Sequence, residues 1–133
     1  MVGGIAGNVT HARVGNEPGS NAVFRAWRDS LFSTTIIVPL TENASWDEMS
    51  QGQMQLNEWQ DQLRTLTPGG GAYMNEATYD DLEWKSDYFG ENYDSLLAIK
   101  IKYDPEFTLW SHSAVGSDIY WSLAEDGRLC RLK

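Results

Sequence analysis

A chain of 133 residues, 41% of them apolar, fits one soluble domain, is short for two, and excludes a large multidomain enzyme acting alone. Its 10 Lys and Arg stand against 19 Asp and Glu, a net charge of −9 without any basic cluster; nucleic acid is excluded as an expected partner, because phosphate recognition rests on Lys and Arg neutralising backbone charge. The one cysteine, Cys130, excludes an internal disulfide and a multi-thiolate metal site, and no apolar run approaches the roughly 18 residues of a membrane span, so no membrane partner is expected.

Residues 1–22 are rich in Gly, Asn and Ser and read as loop, or as strand pieces that need neighbours to pair with. The run 30–40 is β-branched and aromatic and ends at Pro39, which predicts a strand buried on at least one face. Ser45-Trp46-Asp47-Glu48 has capping-box spacing, so a helix is predicted to begin there. Met49, Leu56, Trp59, Leu63 and Leu66 then form one apolar stripe, expected to be core rather than cofactor contact, that ends before Pro68 and three glycines. A second helix is predicted from about residue 91 to 102, with Tyr93, Leu96, Leu97 and Ile101 on one face and Asp104-Pro105 as its stop. The tail from 107 to 133 reads as irregular with short strands. Leu, Ile, Val and Phe make up only about a fifth of the chain, close to the level of roughly 20% below which disorder is the default. Six Trp and six Tyr add buriable area, and part of this core is expected to face another segment.

The segment most suited to chemistry is 69–76, where three glycines precede Tyr73 and Asn75. In an extended segment residues 73 and 75 project to the same side, which would put a phenol and an amide before one ligand; the spacing alone more often describes a glycine loop ending in a buried tyrosine. The acidic run Glu76, Asp80, Asp81, Glu83, Asp87, Glu91 and Asp94 is expected to be a solvated face, and no metal site is expected. His11 and His112 have no metal-type spacing and no triad context, and His112 reads as a structural histidine beside Trp110. The start at Met1-Val2-Gly3-Gly4 lacks the basic and apolar segments of a signal peptide, and Asn8 and Asn43 head sequons that matter only in a secretory context.

Read in order, Pro68-Gly69-Gly70-Gly71-Ala72-Tyr73-Met74-Asn75-Glu76-Ala77, Trp84, Tyr88-Phe89-Gly90-Glu91-Asn92-Tyr93, Leu96-Leu97, Ile99-Lys100 and Lys102-Tyr103-Asp104-Pro105 resemble the berberine-bridge-enzyme-type C-terminal segment of FAD-linked oxidases. Ala114-Val115-Gly116-Ser117-Asp118 and Gly127-Arg128-Leu129-Cys130 resemble its fungal members, and Gly7-Asn8-Val9-Thr10 with Ala26-Trp27-Arg28-Asp29 is similar to the end of their substrate-binding domain. The resemblance implies that residues 1–67 are the end of a substrate-binding domain and 68–133 a berberine-bridge-enzyme-like C-terminal segment. It implies an α+β fold: a partial antiparallel sheet with covering helices, plus a segment that packs on a flavin domain. It also implies FAD as cofactor, bound weakly or not at all by these residues alone because relatives hold it mostly through an N-terminal domain. Tyr73 is the implied catalytic residue, assisting proton removal, and Asn75 the implied cofactor contact near the ring system. A small-molecule substrate, and a flavin-domain partner chain or self-association, follow from the same likeness; full-length relatives are often secreted. The alternative is a non-catalytic remnant or interaction protein lacking the flavin domain.

Overall fold

The computed structural model describes residues 1–132, which divide into two compact units: Met1–Ser20 with Arg25–Gly71, and Asn21–Phe24 with 72–132. In the first unit, strand β1 (Val2–Ala6) pairs antiparallel with β2 (Phe32–Ile36), in a register running from Val2 opposite Ile36 to Ala6 opposite Phe32. The loop-or-strand reading of the first 22 residues thus resolves into a strand that has found its neighbour about 30 residues away. Two one-turn helices lie between the strands. Thr10 caps α1 (His11–Val14), while α2 (Ala26–Asp29) is tied to the loop after β1 by Arg28 Nη1 donating to the Val9 carbonyl at 2.9 Å.

Helix α3 (Trp46–Leu66) begins where the capping box predicts. The Glu48 amide donates to Ser45 Oγ at 3.3 Å, and Glu48 Oε2 accepts from the Ser45 amide at 2.7 Å. Those bonds, the Ser45 amide first, hold the Glu48 carboxyl below the usual carboxylate range. Ser45→Ala is expected to remove about 1 kcal/mol of stability by leaving first-turn amides without a side-chain acceptor, seen as a loss of helical circular dichroism on mild warming.

The apolar stripe on α3 departs from expectation. Its helical spacing is as predicted, yet none of the described residues of this unit is buried, and Leu66 remains 76% exposed. A two-stranded sheet has too little area to cover such a stripe, and its own Ile5 is 79% exposed. The α3 stripe and the sheet faces therefore stay largely open among the described residues of this unit.

The second unit has a buried centre. A π-helical turn (Lys85–Phe89) and a 3₁₀ turn (Gly90–Asn92) lead into α4 (Tyr93–Tyr103), so the regular helix starts two residues later than its pattern predicts. The wider π turn lets the consecutive Tyr88 and Phe89 both face inward, where Phe89 meets Trp84 and Tyr93 with ring centroids 6.2 and 5.9 Å apart. Lys85 Nζ lies 5.1 Å from the centre of the Tyr93 ring and 2.7 Å from Asp118 Oδ2, whose hydrogen bond holds the ammonium above its usual value. The predicted inner face of α4 is partly covered at Tyr93, Leu96 and Leu97, but Ile101 is exposed. Residues 21–24 join this unit through Asn92 Nδ2, which donates to the Ala22 carbonyl at 3.3 Å, and through the Phe24 ring, which occupies the space a side chain on Gly90 would need.

Beyond α4 a polar clasp fixes the chain reversal that the Asp-Pro stop predicts. Lys100 Nζ bonds both Asp104 Oδ2 and the Leu109 carbonyl, and Asp104 accepts the Thr108 and Leu109 amides at 2.8 and 2.9 Å. The Lys100 bond, helped by those two amides, holds the Asp104 carboxyl below its usual value of 3.8. A carboxyl depressed by folding stabilises fully above its unfolded value and loses that contribution as pH falls through the folded one. Asp104→Asn should therefore lower the urea midpoint at neutral pH and converge with the unsubstituted chain below the usual aspartate range. The tail ends in the hairpin β3 (Trp121–Leu123) and β4 (Leu129–Arg131), in agreement with the short strands expected there.

Candidate functional site

The candidate site opens the second unit. Helix α3 ends at Leu66, and residues 67–70 form a turn closed by the Gly70 amide donating to the Thr67 carbonyl at 3.0 Å. Pro68 and the following glycine suit this turn chemically. Ala72 is then anchored by its amide, which donates to the Asp87 carbonyl at 2.9 Å.

Tyr73 and Asn75 meet by a route other than the one their spacing predicts. The backbone is not extended through 73–76; it turns, with the Glu76 amide donating to the Tyr73 carbonyl at 2.9 Å. That turn brings residues i and i+2 together, and Asn75 Nδ2 donates to Tyr73 Oη at 3.1 Å. The alternative of a buried tyrosine is corrected: the Tyr73 side chain is 46% exposed, with exposed Met74 between it and Asn75 in sequence.

The rest of the loop is held from below. Tyr88 Oη donates to the Thr78 carbonyl at 2.9 Å, His112 Nε2 bonds the Tyr79 carbonyl, and Thr78 Oγ1 donates to Asp80 Oδ1 at 2.8 Å. His112 is thus a structural histidine, as its surroundings predict, and its partner lies 33 residues upstream. His11 faces Asn16, with Nδ1 and Oδ1 3.2 Å apart. The acidic run is not uniformly a solvated face. Asp81 is 7% exposed, and its Oδ1 accepts the Glu83 amide at 2.9 Å, which starts the turn carrying Trp84. An aspartate accepting the amide two residues on is a local signal that the sequence contained; its burial is a property of the folded unit that this local signal does not carry. Among the described residues no group of three His, Cys, Asp or Glu is placed to hold a metal ion, and no helix is long and apolar enough to cross a membrane.

The phenol, thioether and amide of 73–75 suit contact with a flat, partly apolar ring such as the ring end of a flavin. The same stretch does not suit a diphosphate, because residues 72–84 contain Glu76, Asp80, Asp81 and Glu83 and no Lys or Arg.

Residues 72–116, from the first anchored residue of the loop to Gly116, match the family described as "Berberine and berberine like". The chain is 36% identical over 113 residues to the FAD-linked oxidoreductase ZEB1 of Gibberella zeae, covering 84% of this chain and 20% of that protein. It is 37% identical over 131 residues to the FAD-linked oxidoreductase patO of Aspergillus clavatus, covering 98% of this chain and 22% of that one. The crystal structure of the VAO-type flavoprotein MtVAO615 from Myceliophthora thermophila superposes with a TM-score of 0.79 at 34% identity, over 85% of this chain and 21% of that chain. The protein carries a berberine-and-berberine-like segment and is homologous over most of its length to fungal FAD-linked oxidoreductases, with an α+β fold shared with VAO-type flavoproteins. It spans about a fifth of the length of the curated relatives it matches.

Proposed function

We propose that this chain contributes the substrate-side surface of an oxygen-dependent FAD-linked oxidoreductase. Residues 1–67 serve as the end of a substrate-binding domain and 68–133 as the berberine-bridge-enzyme-like segment that packs on a flavin domain. The observation that carries this reading is the exposed Tyr73–Asn75 pair on a backbone-anchored turn, at the start of the segment that matches the family. Bound FAD would supply the two-electron acceptor for a small alcohol or activated C–H group and pass the electrons to oxygen. Tyr73, as the tyrosinate, would take the substrate's proton on Oη as the substrate carbon gives up a hydride, and Asn75 would lie beside the ring system. The uncovered α3 stripe and sheet faces in the first unit support a chain that works against further protein surface.

The test is a flavin titration of the full chain, with and without a co-expressed flavin domain from a relative. Alone, the chain should bind FAD more weakly than about 1 μM, roughly −8 kcal/mol, because a few ring contacts cannot replace a diphosphate cradle. With the flavin domain, a yellow complex that consumes oxygen when given an oxidisable substrate of that relative is expected. Tighter binding by the chain alone would overturn the division of labour. A chain that forms no flavin complex in either case would be the non-catalytic interaction protein.

A further inference from the structure

The bond from Asn75 Nδ2 to Tyr73 Oη, 3.1 Å long, is more than the turn requires. The turn is already closed through the backbone by the Glu76 amide on the Tyr73 carbonyl at 2.9 Å, and Ala72 is pinned independently to Asp87. Both side chains are exposed, where a neutral hydrogen bond competes with water and adds little net stability. Its consequence falls on the phenol oxygen. An N–H aimed at that atom restricts the ring's orientation and stabilises negative charge on the oxygen, because a hydrogen bond to a charged acceptor is stronger than one to a neutral acceptor. We infer that Asn75 is a positioning residue that acts through Tyr73: it orients the phenol and supports the charge Tyr73 Oη carries when its proton is away, rather than serving chiefly to hold the flavin.

This rests on Tyr73 being the proton acceptor, and the experiment separates the two claims. In the ¹⁵N-labelled full chain, Tyr73→Phe should move the Asn75 side-chain amide resonances while leaving the Glu76 backbone amide in place, as a turn without the phenol contact would. In the chain joined to a flavin domain, Asn75→Ala should lower the single-turnover rate of flavin reduction about 10- to 100-fold, the cost of one hydrogen bond to a charged group, at unchanged flavin content. In a Tyr73→Phe background the same substitution should change the rate less than about twofold, because its target is gone. A structural or flavin-holding Asn75 would instead lower the rate by the same factor in both backgrounds. That result, loss of flavin in Asn75→Ala alone, or Asn75 resonances unmoved by Tyr73→Phe, overturns the inference. If Tyr73→Phe itself leaves the rate unchanged, the assignment of Tyr73 as proton acceptor fails and the role of Asn75 falls with it.

Discussion

Tyr73→Phe, in this chain joined to a flavin domain, should slow flavin reduction by about 10²–10⁴-fold, or roughly 2.7–5.5 kcal/mol of transition-state stabilisation, while flavin content and folding change little. The substitution deletes one hydroxyl and keeps the ring. Because the side chain is about half exposed on a turn held by main-chain bonds, its truncation falls among surface changes that typically move stability by no more than about 0.5 kcal/mol. The decisive measurement is flavin reduction in single turnovers, which separates hydride transfer from reoxidation by oxygen. An unchanged rate across pH would leave Tyr73 a structural residue and remove the proton acceptor from the proposed reaction.

The second large effect concerns the fold. Gly116 has φ +77°, and a Cβ added there would overlap the edge of the Phe107 ring and lie 3.2 Å from Leu97 Cδ1. Phe107 has little room to yield. It is buried, its own φ is +51°, its ring stacks on Tyr120 with centroids 5.8 Å apart, and its carbonyl accepts from Trp121 Nε1 at 2.8 Å. Gly116→Ala should therefore combine a left-handed backbone penalty of about 1–2 kcal/mol with an overpacking cost of about 1–3 kcal/mol. The control is Gly127→Ala, where φ is +79° but nothing lies within 4 Å, so only the backbone penalty applies. Urea unfolding followed by tryptophan emission should show a much larger loss for Gly116→Ala than for Gly127→Ala. Equal losses would mean that the Phe107 ring moves aside freely.

The cap and length of α3, the strand inside 30–40, the stop of α4 at Asp104-Pro105 and the short strands of the tail were all legible in the sequence. Each rests on groups a few residues apart: a serine and glutamate at capping spacing, a β-branched run, a proline that cannot continue a helix. The ordered motifs of 68–105 also carried the family, because they form a long series in fixed order.

Partners many residues apart were decided only by the tertiary structure. Residues 21–24 belong to the second unit because Asn92 and Gly90 offer them a bond and a groove about 70 residues downstream. Asp81 reads as one more solvated acid, yet the folded chain leaves it only 7% exposed. Tyr73 and Asn75 were singled out from their spacing, but the hydrogen bond between them comes from a turn whose closure no side-chain pattern encodes. The α3 stripe shows the converse: periodicity determined which face is apolar, whereas its burial depends on how much partner surface is present, a quantity that no local pattern contains.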